Sequence, residues 1–224
     1  MNFSYIAVPA YNEESTIESL IFDISAHIPV TRIVVVDDGS CDKTAELAEK
    51  CGAIVLRHNK NAGKGRAIQT AVEYGSDKGY QWIILMDADH QHPPSYLPEF
   101  LQAIQSHQVD VIMANRTDRK KHMPVHRQLS NGITSVMVSL SAGVRIHDSQ
   151  CGYRAARLDK LKGMILSENG FQLESEMLIK LGRMHARFQE IPIQTVYAGE
   201  KSAIHPFRDT IRFVTLFFKS LMWS

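Results

Sequence analysis

Apolar residues in this chain fall into short runs separated by stretches of helical spacing, and polar residues gather where the runs end. Tyr5 to Val8 is an apolar run that gives way to Pro9-Ala10-Tyr11-Asn12-Glu13-Glu14. Ser15 to His27 carries Ile17, Leu20, Ile21 and Ile24 on one helical face. Ile33 to Val36 is β-branched throughout and ends in Asp37-Asp38-Gly39-Ser40. A helix from about Asp42 to Lys50 and a strand from Ala53 to Leu56 follow. Asn61-Ala62-Gly63-Lys64-Gly65 then opens a helix to about Tyr74. Ile83 to Met86 and Val109 to Ala114 are further apolar strands. Runs this uniformly apolar belong to strands buried on both faces. Strands alternating with helices predict an α/β fold, a parallel sheet with right-handed crossovers. Polar motifs follow three of the first four strands, which places them on one sheet edge, where loops build a site.

The densest of these motifs is Asp87-Ala88-Asp89-His90-Gln91-His92-Pro93-Pro94. In extended backbone the alternate residues Asp87, Asp89 and Gln91 point the same way, so two carboxylates and an amide oxygen would converge. Close carboxylates repel unless a cation lies between them. Oxygen ligands suit Mg²⁺ or Mn²⁺, and Mg²⁺ completes its shell with substrate phosphates. The expectation is a divalent cation presented to a diphosphate. The same residues also fit a polar turn, with Pro93-Pro94 opening a helix. Asp37 and Asp38 are placed to accept hydrogen bonds from a nucleoside, or to form a helix-capping turn with Gly39 and Ser40. Gly63-Lys64-Gly65 brings backbone and a cation towards phosphate without matching a P-loop. Glu13 and Glu14 stand in a helix's first turn, where the dipole favours carboxylates.

Composition narrows the partners. With 224 residues the chain can form one large domain or two fused lobes. A formal net charge of +1 gives no global attraction to nucleic acid, and none is expected as a partner. Cys41, Cys51 and Cys151 are odd in number and far apart, and read as reduced thiols in a cytosolic protein. No signal-peptide pattern opens the chain, and no apolar run is long enough to span a membrane.

The second half is richer in cations. Arg116, Arg119, Lys120, Lys121 and Arg127 put five fixed positive charges within twelve residues. They fit a solvated basic loop, or arginine forks aimed at phosphate oxygens. Leu129 to Val144 reads as a helix. Asp148, Glu174 and Glu176 have a structural reading as partners of Arg154 or nearby cations. Near the end, Pro206 can start a helix with Phe207, Ile211, Val214, Phe218 and Leu221 on one face, widened by Phe213, Leu216 and Phe217. Arg208, Arg212, Lys219 and Trp223 suit a membrane interface. Packing on the domain, or contact with a membrane partner subunit, is the other reading of this helix.

Val8-Pro9-Ala10-Tyr11-Asn12-Glu13-Glu14, Val35-Val36-Asp37-Asp38-Gly39-Ser40, Gly63-Lys64-Gly65-Arg66-Ala67 and the Asp87 motif together resemble family 2 glycosyltransferases. The resemblance is strongest to the dolichol- and polyprenyl-phosphate sugar transferases. It implies a GT-A fold with a nucleotide-sugar-binding half (1–115) and an acceptor half (116–205), followed by the terminal amphipathic helix (206–224) read from the residues above. It also implies a nucleotide-sugar donor, a divalent cation, a lipid-phosphate acceptor, inversion at the anomeric carbon and a location at the inner membrane face. By the same resemblance Pro9, Tyr11, Glu13, Val36 and Asp38 contact the nucleoside. Asp87, Ala88, Asp89 and Gln91 sit at the diphosphate and metal. Arg116 and Arg127 hold phosphates, and Asp148 to Arg154 matches a family segment with Tyr153 in place of phenylalanine. Thr195 to Ser202 departs from the family, lacking an arginine that Lys201 or Arg208 would replace. A hydroxyl acceptor, or a non-catalytic nucleotide-sugar-binding subunit, are the alternatives.

Overall fold

The computed structural model describes residues 3–116, 125–164, 166, 168, 171–194, 217 and 220, the side chains of 125–130 and 171 lying outside it. In chain order the elements are β1 (Ser4–Ala10), α1 (Ile17–Ser25), β2 (Ile33–Asp37), α2 (Thr44–Lys50), β3 (Ile54–Arg57), α3 (Lys64–Asp77), β4 (Trp82–Leu85) and α4 (Leu97–Gln105). There follow β5 (Val111–Arg116), α5 (Val125–Ala142), β6 (Arg154–Arg157), α6 (Leu158–Leu161), α7 (Phe171–Arg183) and β7 (Phe188–Ile193). The strands form one seven-stranded sheet in the order β3-β2-β1-β4-β6-β5-β7.

Both faces of the sheet are covered, which is why its central strands read as continuous apolar runs. Ile6, Val8, Ile33, Val35 and Ile84 pack with Ile17, Leu20, Ile21 and Ile24 of α1 and Phe100 of α4. The alternate residues Tyr5, Ala7, Val34, Val36, Ile83 and Leu85 pack on the other face with Ala67, Ile68 and Ala71 of α3 and Leu173 and Met177 of α7. Gly75 lets α3 lie close to β1, since a Cβ there would stand 2.5 Å from the Tyr5 ring.

All pairings are parallel except those of β6, which runs antiparallel to β4 and β5. The chain lays β2 and β3 on one side of β1 and β4 on the other, so the topological switch point falls between β1 and β4. That is where open α/β sheets take their ligands. β6 and β7 are strands the apolar pattern does not predict, and β6 is the one that bears on the site. Its sequence, Arg-Ala-Ala-Arg, has no strand signature, and it is held by pairing on both sides rather than by propensity.

Other boundaries also move. α1 starts at Ile17, not Ser15, because the Glu13 carbonyl accepts the N–H groups of Thr16 and Ile17 in a preceding turn. Glu13 and Glu14 therefore stand ahead of the helix rather than in its first turn. β5 runs on to Arg116, carried by pairing with β7 through Arg116 opposite Ile193. Most of the terminal helix expected at 206–224 lies outside the described residues. Phe217 and Ser220 are helical, and the Ser220 hydroxyl lies 3.1 Å from that of Ser141 on α5. Among the described residues no helix is long and apolar enough to cross a membrane.

Candidate functional site

Because β1, β2 and β4 are parallel, the loops that follow them share one edge. The loops after β1 and β2 are clipped together by reciprocal hydrogen bonds. Asn12 N–H donates to Ser40 Oγ at 2.9 Å, Glu13 N–H to Thr44 Oγ1 at 2.8 Å, and Cys41 N–H to Asn12 Oδ1 at 2.9 Å. Ser40 is therefore not the cap of α2. Lys43 stands at the cap position, and Asp42 just ahead of it accepts the Thr44 N–H at 3.0 Å.

The residues expected at the nucleoside separate into two groups. Tyr11 is 45% exposed at this edge, with Pro9 and Glu13 half-buried beside it. Val36 is fully buried under α3, where a central strand points its side chain into the core. Asp38 is 3% exposed and turned towards the next loop. Its carboxylate accepts the N–H groups of Ala62 (3.0 Å) and Gly63 (2.7 Å) and lies 2.6 Å from His58 Nδ1. Asp38 thus fixes the loop that delivers Lys64.

The Asp87 segment departs from the alternation expected of it. β4 ends at Leu85, the chain turns at Ala88 and Asp89, and His90 adopts a positive φ of 58°. Asp89 Oδ1 accepts the Gln91 N–H at 3.0 Å, and this local bond folds the backbone out of the extended form. Asp87, Asp89 and Gln91 are therefore not aligned by strand geometry, and any ion they share is reached across a turn. Among the described residues no three His, Cys, Asp or Glu side chains are grouped to hold a metal. Ala88 is 4% exposed, so its methyl is packed in the core.

Asp87 instead belongs to a row of alternating charges. Lys64 Nζ, at the first residue of α3, lies 2.6 Å from Asp87 Oδ1 and 2.6 Å from Glu174 Oε1 on α7. Glu174 Oε2 in turn accepts from Arg154 Nη2 of β6 at 2.6 Å. Burial works against the Lys64 charge, but Asp87 and then Glu174 hold its pKa above the ordinary value. Burial likewise pushes the Asp87 carboxyl upward, yet Lys64, followed by His92, keeps it below the usual carboxylate range.

The antiparallel strand explains how Arg154 comes here. β6 begins at the edge where β4 ends, with Arg154 opposite Leu85. Gly152, just ahead of it, lies so close to Asp87 that any Cβ would overlap the carboxylate. At the end of β5, Arg116 closes its fork on Asp148, with Nε to Oδ2 at 2.7 Å and Nη2 to Oδ1 at 2.9 Å. Arg116, expected at the phosphates, is 9% exposed and held by a buried carboxylate. The side chain of Arg127 lies outside the described residues, as do Arg119, Lys120, Lys121, Lys201 and Arg208.

The structural reading of the acidic residues is met, with Asp148 on Arg116, Glu174 on Arg154 and Glu176 on Lys180. Sequence reasoning missed His92 and Gly152. His92 is 4% exposed, within electrostatic reach of Asp87 and Asp89, and burial holds its pKa below the ordinary value. Its Nε2 lies 3.7 Å from Cys151 Sγ, and its Nδ1 has no hydrogen-bond partner among the described residues. The available signal was its place directly after Gln91 in an otherwise candidate-rich motif.

A carboxylate presented at a switch-point edge, with flexible and rigid cations beside it, is suited to a charged leaving group. Comparison with known proteins agrees. The chain is 31% identical over 203 residues to the dolichyl-phosphate hexose transferase of Haloferax volcanii, an alignment covering 90% of this chain and 86% of that one. It is 30% identical over 217 residues to the UDP-N-acetylglucosamine–dolichyl-phosphate N-acetylglucosaminyltransferase of Methanococcus voltae, covering 86% and 85%. Among solved structures, glucosyl-3-phosphoglycerate synthase from Mycobacterium tuberculosis, in complex with Mn²⁺, UDP-glucose and phosphoglyceric acid, superposes with a TM-score of 0.76 at 18% identity, covering 98% of this chain and 79% of that one. At that identity the likeness establishes the fold, which is GT-A. Residues 5–164 match the family model described as glycosyl transferase family 2, and the chain belongs to that family.

Proposed function

We propose that the protein transfers a sugar from a nucleotide-sugar donor to a polyprenyl phosphate, with inversion and with a divalent cation, Mg²⁺ or Mn²⁺. The observation that carries this reading is the Asp87 carboxylate, set at the switch-point edge with a positive group 2.6 Å away. The names of the Haloferax and Methanococcus relatives support the acceptor class.

The residues fit a divalent ion. Asp87 already holds a cation on one oxygen, Asp89 is half-buried beside it, and the donor set is oxygen only. Asp87, Asp89 and the Gln91 amide would hold the ion, which when bound supplies Lewis acidity at a departing diphosphate. Everything else is the work of this chain. Tyr11, Pro9 and Glu13 line the nucleoside's approach, Asp38 holds the loop that carries Lys64, and Lys64 faces the phosphates. Arg116, aimed by Asp148, adds positive potential where charge develops. A phosphate acceptor is ionised at pH 7 and needs alignment rather than a general base. Incubation with nucleotide sugars, Mn²⁺ and a polyprenyl phosphate should give an organic-extractable sugar lipid. Equally efficient transfer to the free polyprenol would overturn the acceptor assignment.

Arg127 is assigned to the acceptor phosphate. Arg127→Ala should raise the acceptor KM about ten- to a hundredfold, as expected of a charge-assisted bond of about 1.5–3 kcal/mol, and leave donor affinity unchanged. A parallel rise in the donor's dissociation constant would remove Arg127 from that role.

The terminal segment is assigned to the membrane surface, where its cations and aromatic residues bring the site to a lipid acceptor. The full chain should co-sediment with liposomes containing anionic lipid, less so as salt is raised. A folded chain truncated after Ser202 should stay in the supernatant; equal binding by the truncated form would show that the terminal segment is not the anchor.

A further inference from the structure

Lys64 is placed as few surface lysines are. Its Nζ stands 2.6 Å from each of two carboxylates, Asp87 and Glu174, and its side chain is only 24% exposed. The other members of the row are more closely confined. Arg154 is 1% exposed, packed within β6, and holds Glu174 from the far side while also donating to the Cys151 carbonyl at 2.5 Å. Asp87 is hemmed in by the backbone at Gly152. Lys64 has the most freedom of the four, being a point charge on a flexible four-carbon stem at the start of a helix.

We propose that Lys64 is the resident cation of Asp87, an ammonium that a divalent ion displaces, and that Glu174 is the carboxylate that receives it. This rests on the reading of Asp87 as a metal ligand. Two positive groups repel strongly at contact distance in a partly buried site, so an ion taking the Asp87 oxygen forces Nζ away. A buried ammonium left without a counter-charge would be costly. Glu174 removes that cost, because Nζ already touches it and needs only to release Asp87. Before the exchange the row Arg154–Glu174–Lys64–Asp87 is neutral in sum and stable without metal. After it, Lys64 stays tethered beside the phosphates with its charge unpaired from Asp87. Glu174 is thus a positioning residue, acting through Lys64.

A double-mutant cycle read by Mn²⁺ binding alone, through the electron paramagnetic resonance signal of free Mn²⁺, tests the exchange without any activity measurement. Lys64→Met should tighten Mn²⁺ binding about tenfold by removing the competitor, and Glu174→Gln should weaken it about tenfold by removing the receiving charge; such a coupling is ordinary for contacting groups. Glu174 acts through Lys64 and is neutralised by Arg154, so Glu174→Gln should have no more than about a twofold effect in the Lys64→Met background. Additive effects, with the double variant returning to the wild-type affinity, would overturn the exchange in favour of plain through-space electrostatics. Glutamine keeps the oxygen that bonds Arg154, and Lys64→Gln serves as the second variant should the methionine perturb α3. If Asp87→Asn abolishes Mn²⁺ binding but Lys64→Met leaves it unchanged, the exchange fails while the metal reading stands. If Asp87→Asn leaves wild-type Mn²⁺ binding intact, or the wild-type chain binds none, both fall.

Discussion

Asp89→Asn is expected to lower sugar transfer by about 10²–10³-fold, the usual cost of removing one group that stabilises developing charge. It should also remove the gain in nucleotide affinity that Mn²⁺ provides. The expectation is sharp because the substitution spares the local fold. Asp89 Oδ1 accepts the Gln91 N–H at 3.0 Å, and an asparagine carbonyl can accept the same bond. The turn that carries Ala88 into the core and His90 out towards Asp23 should therefore persist. What is lost is one negative charge two residues beyond Asp87. Calorimetry of a nucleoside diphosphate with and without Mn²⁺, alongside a melting curve, separates the two effects. A variant that keeps full turnover, or a wild-type protein that works in excess chelator, would sink the metal reading.

Much of the scaffold was legible because its physical cause is local. Ile33-Val34-Val35-Val36 is buried on both faces, so the strand could be read from composition alone. Ile17, Leu20, Ile21 and Ile24 face a single core, and their spacing gave α1 to within a turn. The misses share another origin. The alternation of Asp87, Asp89 and Gln91 assumed extended backbone, whereas a short aspartate side chain competes for a nearby N–H and makes a turn. The core that receives the Val36 side chain was not named from the motif, since a central strand gives every second residue to each core. That Asp38 accepts two backbone N–H groups of a distant loop was likewise not readable from its motif.

The charged centre was the least legible part, because it is made by tertiary contact. Lys64, Asp87, Arg154 and Glu174 come from three elements and a loop, and nothing in their spacing along the chain announces a row. Its geometry depends on β6, an antiparallel strand with no strand signature that enters the sheet beside β4. Arg116 shows the same limit. Its place after β5 was readable, whereas its engagement by Asp148 depends on where the loop after α5 returns.

Gly152→Ala should therefore separate function from stability more cleanly than any change to a charged residue. The glycine is needed here for close approach, since a methyl group at this position would occupy the space of the Asp87 carboxylate. The atoms it meets are the end of a side chain rather than backbone, so the fold can yield by rotating Asp87 away. The melting temperature should then fall by only a few degrees, corresponding to about 1–2 kcal/mol for a chain of this size. Activity should suffer far more. Asp87 would leave Lys64 and its place at the β4 end, and misplacement by about 1 Å can cost of order a hundredfold in rate. Transfer is expected to drop about a hundredfold or more, with Mn²⁺ binding weakened in parallel. The comparison that decides is Gly152→Ala against Gly75→Ala, whose Cβ would press on the Tyr5 ring far from Asp87. The Gly75 variant should lose stability and keep its Mn²⁺ affinity while folded; the Gly152 variant should do the opposite. Full Mn²⁺ affinity in Gly152→Ala would mean that the Asp87 carboxylate can serve the site from another position, and that its present close approach to β6 is packing alone.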